Sequence, residues 1–337
     1  MASQVKMSDI AKELGVSTVT VSKALSGKDG VGFELRGTIK KKAGEMGYVY
    51  NSLPRNMLQG RNYNIGILIA ARYLGETSFY WTFYQKLLES LKKTDYLGIL
   101  EIVNEEDETQ CAAPGFCDGN KVDGVILLGQ LSDTYLTMIT RKMPRCVFLD
   151  FYSEIGDADC VASNNFLGSY NLTKLLIDAG HKKIAFIGST TATTSILDRY
   201  MGFCKAMLES GLPYDNAIED RNARGYAIAI PLQLEKYTAY VCNNDKLAGD
   251  VIRQLRECAI LVPEDISIVG FDNGSVATTA GVGVTSLEVN TAAMCDVALS
   301  YLVQHIENEQ YTPRGRSFID GKVIVKQSIN KPNDQRM

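Results

Sequence analysis

The sequence predicts a small all-α head followed by a larger α/β body with parallel sheets. Three observations predict it. Apolar residues in the first fifty positions recur at helical spacing. The remainder alternates short β-branched runs with amphipathic helical stretches, the pattern of βαβ units. The length of 337 residues suits two or three domains. With 45% hydrophobic and 22% charged residues, the composition is that of an ordinary globular chain and excludes a disordered or collagenous one.

In the head, Ser8 and Asp9 open a short helix in which Ile10, Ala11 and Leu14 share one face. Gly15 permits a tight turn, and Ser17 is a good N-cap for a second helix. There Val21, Ala24 and Leu25 form the inward stripe, leaving Thr18, Val19, Ser22 and Lys23 on the opposite face. A third helix, about Glu34 to Gly47, completes a three-helix core with Ile39, Ala43 and Met46. Two short helices joined through a Gly turn make a helix-turn-helix, whose second helix can enter the DNA major groove. A helical bundle used for protein contacts is the alternative.

Charge separates the two. Met1 to Asn62 holds ten basic and five acidic residues, so the head is +5 and the remainder −9, although the chain as a whole is −4. A basic head on an acidic body fits a protein in which only the head meets a polyanion. Charge and spacing together favour DNA.

In the body the expected strands are Ile65–Ala70, Gly98–Val103, Val122–Leu128, Cys146–Asp150, Lys183–Ile187, Ala239–Cys242 and Ile266–Phe271. Helical stretches lie at Phe83–Lys92, Gly168–Ala179, Tyr200–Ser210 and Lys246–Glu257. Two parallel sheets built this way imply two lobes with a cleft between them.

Other classes are disfavoured. The apolar stretch Ile65 to Ala71 is seven residues, against about 20 for a membrane span. No apolar run precedes a small-residue cleavage site near the N-terminus, so a cytoplasmic protein is expected. The eight cysteines are scattered without Cys-x-x-Cys spacing, which reads as buried thiols in a reducing compartment. With His181 and His305 the only imidazoles, neither a zinc site nor histidine acid–base catalysis is expected. No phosphate loop, nucleophile elbow or dinucleotide fingerprint occurs, so an enzyme is not expected, and no cofactor or metal is called for.

At the level of motifs the chain resembles the LacI family of transcriptional repressors. The head carries Asp9-Ile10-Ala11-Lys12-Glu13-Leu14-Gly15-Val16-Ser17, Thr20-Val21-Ser22-Lys23-Ala24-Leu25-Ser26-Gly27, Gly47-Tyr48 and Asn51. The body adds Val122-Asp123-Gly124-Val125-Ile126, Gly180 to Gly188, Asp198 to Phe203, Asn244-Asp245 and Val262 to Asp272, in order and at the family's spacing.

The resemblance implies a periplasmic-binding-protein-like two-lobed core whose chain crosses between lobes near Ser163, Asn290 and Asp320. The implied division is a helix-turn-helix domain at 1–50, a hinge at 51–62, a core at 63–330 and a tail at 331–337. Within the core, one lobe takes about 63–162 and 291–319, the other about 163–289 and 320–330. In the family the hinge becomes helical on operator DNA and wedges a leucine into the minor groove. Here Met57 stands at that position and Pro54 replaces the usual alanine, a change the first helical turn tolerates.

The expected DNA contacts are Thr18, Val19, Ser22, Lys23, Tyr48, Asn51, Arg55 and Met57. Thr18 can hydrogen-bond a base edge, Lys23 can pair with guanine or phosphate, and Val19 can touch a thymine methyl. Gly32 and Leu35 replace polar residues usual at the start of the third helix, so weaker capping is expected there.

The effector residues carried over are Asp150, Arg199, Asn244 and Asp272, polar groups at strand ends suited to vicinal hydroxyls. Tyr80 and Trp81 could stack on the apolar face of a sugar ring. The function implied is a homodimeric repressor of carbohydrate genes, bound to palindromic operator DNA and controlled by a small sugar. A purine or a phosphorylated partner protein is the alternative effector. A sugar-binding protein with no regulatory role is the more distant one.

Overall fold

The structure is a computed structural model, describing residues 5–25, 29–48, 61–74, 79–221, 227–274, 278–279 and 281–333. The chain divides into two compact units, Met1–Asn62 and Tyr63–Met337.

The first unit contains α1 (Met7–Leu14), α2 (Thr18–Leu25) and α3 (Phe33–Glu45). Ile10, Ala11, Val21, Ala24, Ile39 and Ala43 are buried together, with Leu14, Leu25 and Met46 packed around them. Asp9 ties down the start of α1, where its carboxylate accepts from the Lys6 N–H at 2.8 Å. Gly15 ends α1 in the left-handed region at φ 64°, a conformation that glycine adopts without a Cβ penalty. Ser17 then caps α2, its Oγ accepting from the Thr20 N–H at 3.0 Å. As expected from Gly32, α3 begins without a side-chain cap.

The second unit holds two six-stranded sheets and a two-stranded one. Its helices are α4 (Phe79–Leu91), α5 (Glu105–Gln110), α6 (Asp133–Lys142), α7 (Asn165–Asp178), α8 (Thr194–Glu209), α9 (Asp245–Glu257) and α10 (Thr291–Glu307). The strands are β1 (Asn64–Ala70), β2 (Leu97–Val103), β3 (Gly124–Leu128), β4 (Cys146–Leu149), β5 (Asp159–Ser163), β6 (Ile184–Ile187), β7 (Ala217–Ile218), β8 (Ala239–Cys242), β9 (Ser267–Asp272), β10 (Thr278–Thr279), β11 (Val282–Gly283), β12 (Thr285–Glu288), β13 (Arg316–Ile319) and β14 (Lys322–Ile324).

The first large sheet runs β13-β5-β4-β3-β1-β2 and is parallel throughout. The second runs β14-β12-β9-β8-β6-β7 and is parallel except for β14, which pairs antiparallel with β12. Strands β3, β4 and β6 are buried at every residue, as expected of parallel strands covered on both faces.

The chain leaves the first sheet after Ser163 and returns to it after Val289, where α10 packs against α4, β3, β4 and β5. Between β13 and β14 only Asp320 and Gly321 separate the two sheets. Two of these passages end in asparagine caps. Asn164 Oδ1 accepts from Leu167 N–H at 3.2 Å, and Asn290 Oδ1 accepts from Ala293 N–H at 3.1 Å. Asn164 Nδ2 also donates to Asp320 Oδ1 at 2.8 Å, which joins the first passage to the third.

The cysteines are all reduced, but the expectation of buried thiols holds for only half of them. Cys146, Cys160, Cys242 and Cys295 are buried, Cys111, Cys117 and Cys204 are half-buried, and Cys258 is exposed where α9 ends. Among the described residues no helix is long and apolar enough to cross a membrane, and no cluster of His, Cys, Asp or Glu could hold a metal.

Candidate functional site

On the head, α2 turns Val21 and Ala24 inward and leaves Thr18, Val19 and Lys23 exposed, with Ser22 half-buried. Val19 is 62% exposed, so this large apolar side chain does not serve the head's own core. Tyr48 packs partly buried against that core. Asn51, Pro54, Arg55 and Met57 lie outside the described residues.

In the second unit the carboxyl ends of both sheets face a cleft of about 1060 Å³. All six sequence-predicted effector residues line it: Tyr80, Trp81, Asp150, Arg199, Asn244 and Asp272. Asp150 follows β4 and Asp272 ends β9, with φ of 70° and 101°. Non-glycine residues seldom adopt such angles, and they concentrate at functional sites.

Arg199, on α8, is held from several directions. Its Nε donates to Asn165 Oδ1 at 2.8 Å and its Nη1 to the Asn243 carbonyl at 2.7 Å. The guanidinium carbon lies 3.7 Å from the centre of the Phe271 ring, a cation–π contact. Its Nη2 stands 3.7 Å from Asp272 Oδ1.

Three carboxylate oxygens in the cleft lack a hydrogen-bond donor among the described residues. Asp150 Oδ2 accepts from the Tyr80 hydroxyl at 2.9 Å, but Asp150 Oδ1 has no hydrogen-bond partner. Asp272 Oδ1 and Asp245 Oδ1 are likewise buried without one, whereas Asp245 Oδ2 accepts from Gly274 N–H at 3.1 Å. Burial pushes the Asp150 and Asp245 carboxyls up to about 6, and Asp272 well above its ordinary value. In all three, Arg199 pulls the other way.

Two expectations need refinement. Tyr80 packs tilted against Tyr73 with ring centres 4.6 Å apart and gives its hydroxyl to Asp150, so it positions that carboxylate. Trp81, 47% exposed, is the more open aromatic surface. Asn244 caps α9, its Oδ1 accepting from Leu247 N–H at 2.8 Å, which leaves the Nδ2 donor as its offering to a ligand.

Sequence reasoning missed Asn165, Asn243 and Gln130. It also missed two charge pairs on the walls, Arg72 with Glu108 and Arg221 with Asp220. Of these residues only Asn243 adjoins a family motif, Asn244-Asp245, so little in the sequence marked them. Hydrogen bonds join the lobes at the start of α8. Thr194 N–H donates to Gln130 Oε1 at 2.9 Å, Tyr152 OH to Asp198 Oδ1 at 2.8 Å, and Ser195 Oγ to the Asp150 carbonyl at 3.1 Å.

A helix-turn-helix head joined to a two-lobed core with a polar cleft defines a ligand-responsive DNA-binding regulator. Comparison with known proteins agrees. Residues 6–51 match the bacterial regulatory proteins of the lacI family, and residues 173–329 match the periplasmic binding protein-like domain. The HTH-type transcriptional regulator RegA of Clostridium saccharobutylicum is 30% identical over 319 residues, 92% of this chain and 94% of the relative. The HTH-type transcriptional repressor PurR of Glaesserella parasuis serovar 5 is 25% identical, covering 96% and 98% of the two chains.

Among solved structures, a transcriptional regulator CelR–cellobiose complex superposes with a TM-score of 0.68 at 23% identity, over 96% of this chain and all of the other. A lac repressor dimer bound to operator and the anti-inducer ONPF gives 0.72 at 17% identity, over 97% and 100%. The chain belongs to the LacI family of bacterial transcriptional regulators. The resemblance read from the motifs is borne out over nearly the whole sequence.

Proposed function

We propose that this regulator is a repressor of carbohydrate-utilisation genes, released from operator DNA when a small sugar binds between the lobes. The observation that carries the sugar is the set of buried carboxylate oxygens in the cleft that have no donor among the described residues. Asp150 and Asp272 each carry an unpartnered carboxylate oxygen and both feel the Arg199 guanidinium, and a buried acceptor without a donor costs about 1–3 kcal/mol. Vicinal hydroxyls supply donors to those oxygens and can accept from Arg199 and Asn244. Trp81 offers an apolar face to a ring.

The head reads DNA through Thr18, Val19, Ser22 and Lys23 on α2, supported by Tyr48. Asn51, Arg55 and Met57 act in the hinge at 51–62, between the head at 1–50 and the core at 63–330. A two-fold homodimer presents two heads to a palindromic site. Effector and operator are coupled only to the extent that each prefers one lobe arrangement, and the coupling is reciprocal.

A purine effector is the second reading, favoured by the likeness to proteins named PurR. Thermal unfolding of the full chain against sugars, sugar phosphates and purines separates the two. A ligand at 100 times its Kd adds about 2.7 kcal/mol, a shift of a few degrees. A sugar hit that Arg199→Ala abolishes, and that lowers affinity for selected operator DNA, supports the proposal. A purine hit alone overturns the sugar, and tighter operator binding with sugar reverses the sign.

A further inference from the structure

The cleft is longer than one ring. Its second-lobe floor is laid out by the strand order β9-β8-β6-β7, whose carboxyl ends present Asp272, Asn244, Ser189 and then Asp220 with Arg221. Three strand spacings make about 14 Å, whereas a pyranose ring covers roughly one. In the first lobe, Asp150, Gln130 and Arg72 follow β4, β3 and β1, two further spacings along the opposite wall. Polar groups therefore continue well past Asp150, Arg199 and Asp272.

The far end is built as rigidly as the near one. Asp220 Oδ1 accepts from Ser189 N–H at 2.8 Å, while Ser189 Oγ accepts from the N–H groups of Asp220 and Arg221 at 3.1 and 3.0 Å. Arg221 places Nε and Nη2 on Asp220 Oδ2 at 3.1 and 3.0 Å, so its fork is fixed in plane. The Asp220 side chain is 7% exposed and that of Arg221 27%. On the facing wall, Arg72 is paired with Glu108 and donates to the Gln130 carbonyl at 2.7 Å. Both guanidiniums are thus matched by a carboxylate. Such a wall suits the hydroxyls of a neutral ring better than a phosphate ester.

We propose that the effector is a neutral glycoside of disaccharide length, with one ring at Asp150, Arg199 and Asp272 and the second along Asp220–Arg221 and Arg72. This rests on the sugar reading of the cleft. Isothermal titration of the full chain compares glucose with cellobiose and maltose, galactose with lactose, and xylose with xylobiose. Glucose 6-phosphate, hypoxanthine and guanine are included.

The expected result is one disaccharide binding at least about tenfold more tightly than its monosaccharide, with Arg221→Ala bringing that ratio close to one. Arg221→Lys should fail to restore it, because an ammonium cannot reproduce the fork. Thermal unfolding checks that each variant is folded, and the wild-type ratio is decisive even if one is not. A monosaccharide that binds as well as every disaccharide overturns the second ring while leaving the sugar reading intact. So does a ratio that Arg221→Ala leaves unchanged in a folded protein. Preference for glucose 6-phosphate overturns the neutral ring. Binding of a purine alone, or of nothing in the panel, overturns the sugar reading and this inference with it.

Discussion

Arg199 and Asp272 face each other across 3.7 Å between Nη2 and Oδ1, too far for a hydrogen bond and near enough for charge attraction. The other two guanidinium nitrogens are committed to Asn165 and Asn243, and the plane is pinned over Phe271. Asp272 Oδ1 is buried with no hydrogen-bond donor. A ligand hydroxyl can accept from the first group and donate to the second, adding two hydrogen bonds that the pair does not make on its own. That is the physical argument for a polyol here.

The pair predicts unequal mutants. Arg199→Ala removes the guanidinium that draws on Asp150, Asp245 and Asp272 and strips the partners from Asn165 and Asn243, so it should destabilise the core by about 3–5 kcal/mol. Asp272→Asn removes a buried charge yet keeps an acceptor for Arg199, and should change stability by less than ~1.5 kcal/mol while sharply weakening effector binding. Urea denaturation midpoints compare them. Equal destabilisation would mean that the pair is worth more as a salt bridge than its geometry allows.

Effector affinity should rise with pH. Burial holds the Asp150 carboxyl at about 6, so mildly acidic solution keeps a proton on a group that must accept from the sugar, and burial raises Asp272 in the same direction. Titrations from pH 5 to 8 should show Kd falling as pH rises, with proton release on binding. Stability runs the other way for these groups. A carboxyl raised in the fold contributes stability below its unfolded value of about 3.9, and that contribution is lost as pH rises through the folded value. His181 opposes them, because burial lowers it and its contribution is lost as pH falls below about 6.5. Asp245→Asn, at a carboxyl raised to about 6, should therefore gain stability over wild type increasingly from pH 4 to 7. A pH-independent difference would contradict the buried charge.

Much of this was legible in the sequence, for physical reasons that also mark its limits. The head could be read because three short helices must share one apolar core, and their spacing has a single solution. Asp150 and Asp272 were findable because the family resemblance carries them over by motif, at the carboxyl ends of strands where open α/β sheets bind ligands. Strand β7, two residues long, has no period to read, so Asp220 and Arg221 went unseen. Helix α10 was missed because a helix packed between a sheet and α4 is apolar over most of its surface, which blurs the 3.6-residue signal. Its asparagine cap, Asn290, was the available clue. His181 bridges Thr238 at 2.9 Å with Ser267 and the Asn330 carbonyl at 3.0 Å, and so ties β8 and β9 to the C-terminal segment.

The bonds at the start of α8 predict a mutant that acts without touching the ligand. Tyr152 is outside the cleft lining, yet its hydroxyl donates to Asp198 in the other lobe. Tyr152→Phe removes one interlobe bond worth about 0.5–1.5 kcal/mol and should shift the lobes toward opening. A ligand that prefers the closed arrangement would then bind roughly three- to tenfold more weakly. Small-angle scattering of the ligand-free protein should show a larger radius of gyration. An unchanged radius with unchanged Kd would remove Tyr152 from any part in closure.

The head predicts a base preference that needs no hydrogen bond. Val19 projects from the first turn of α2 at 62% exposure, with Thr18 exposed beside it and Lys23 a turn further along. An apolar side chain at that place has one attractive partner on a base edge, the thymine C5 methyl. Burying one methyl is worth about 0.8 kcal/mol, close to a fourfold change in affinity. Replacing the contacted thymine by uracil in a selected operator deletes the methyl and leaves every hydrogen-bonding group in place. Wild type should lose about fourfold on that substitution, and Val19→Ala should lose most of its sensitivity to it. Lys23→Ala instead should weaken binding on thymine and uracil operators alike and flatten the salt dependence, as expected for a phosphate contact. If no thymine-to-uracil change within either half-site distinguishes wild type from Val19→Ala, then Val19 does not read a base, and its exposure serves another contact.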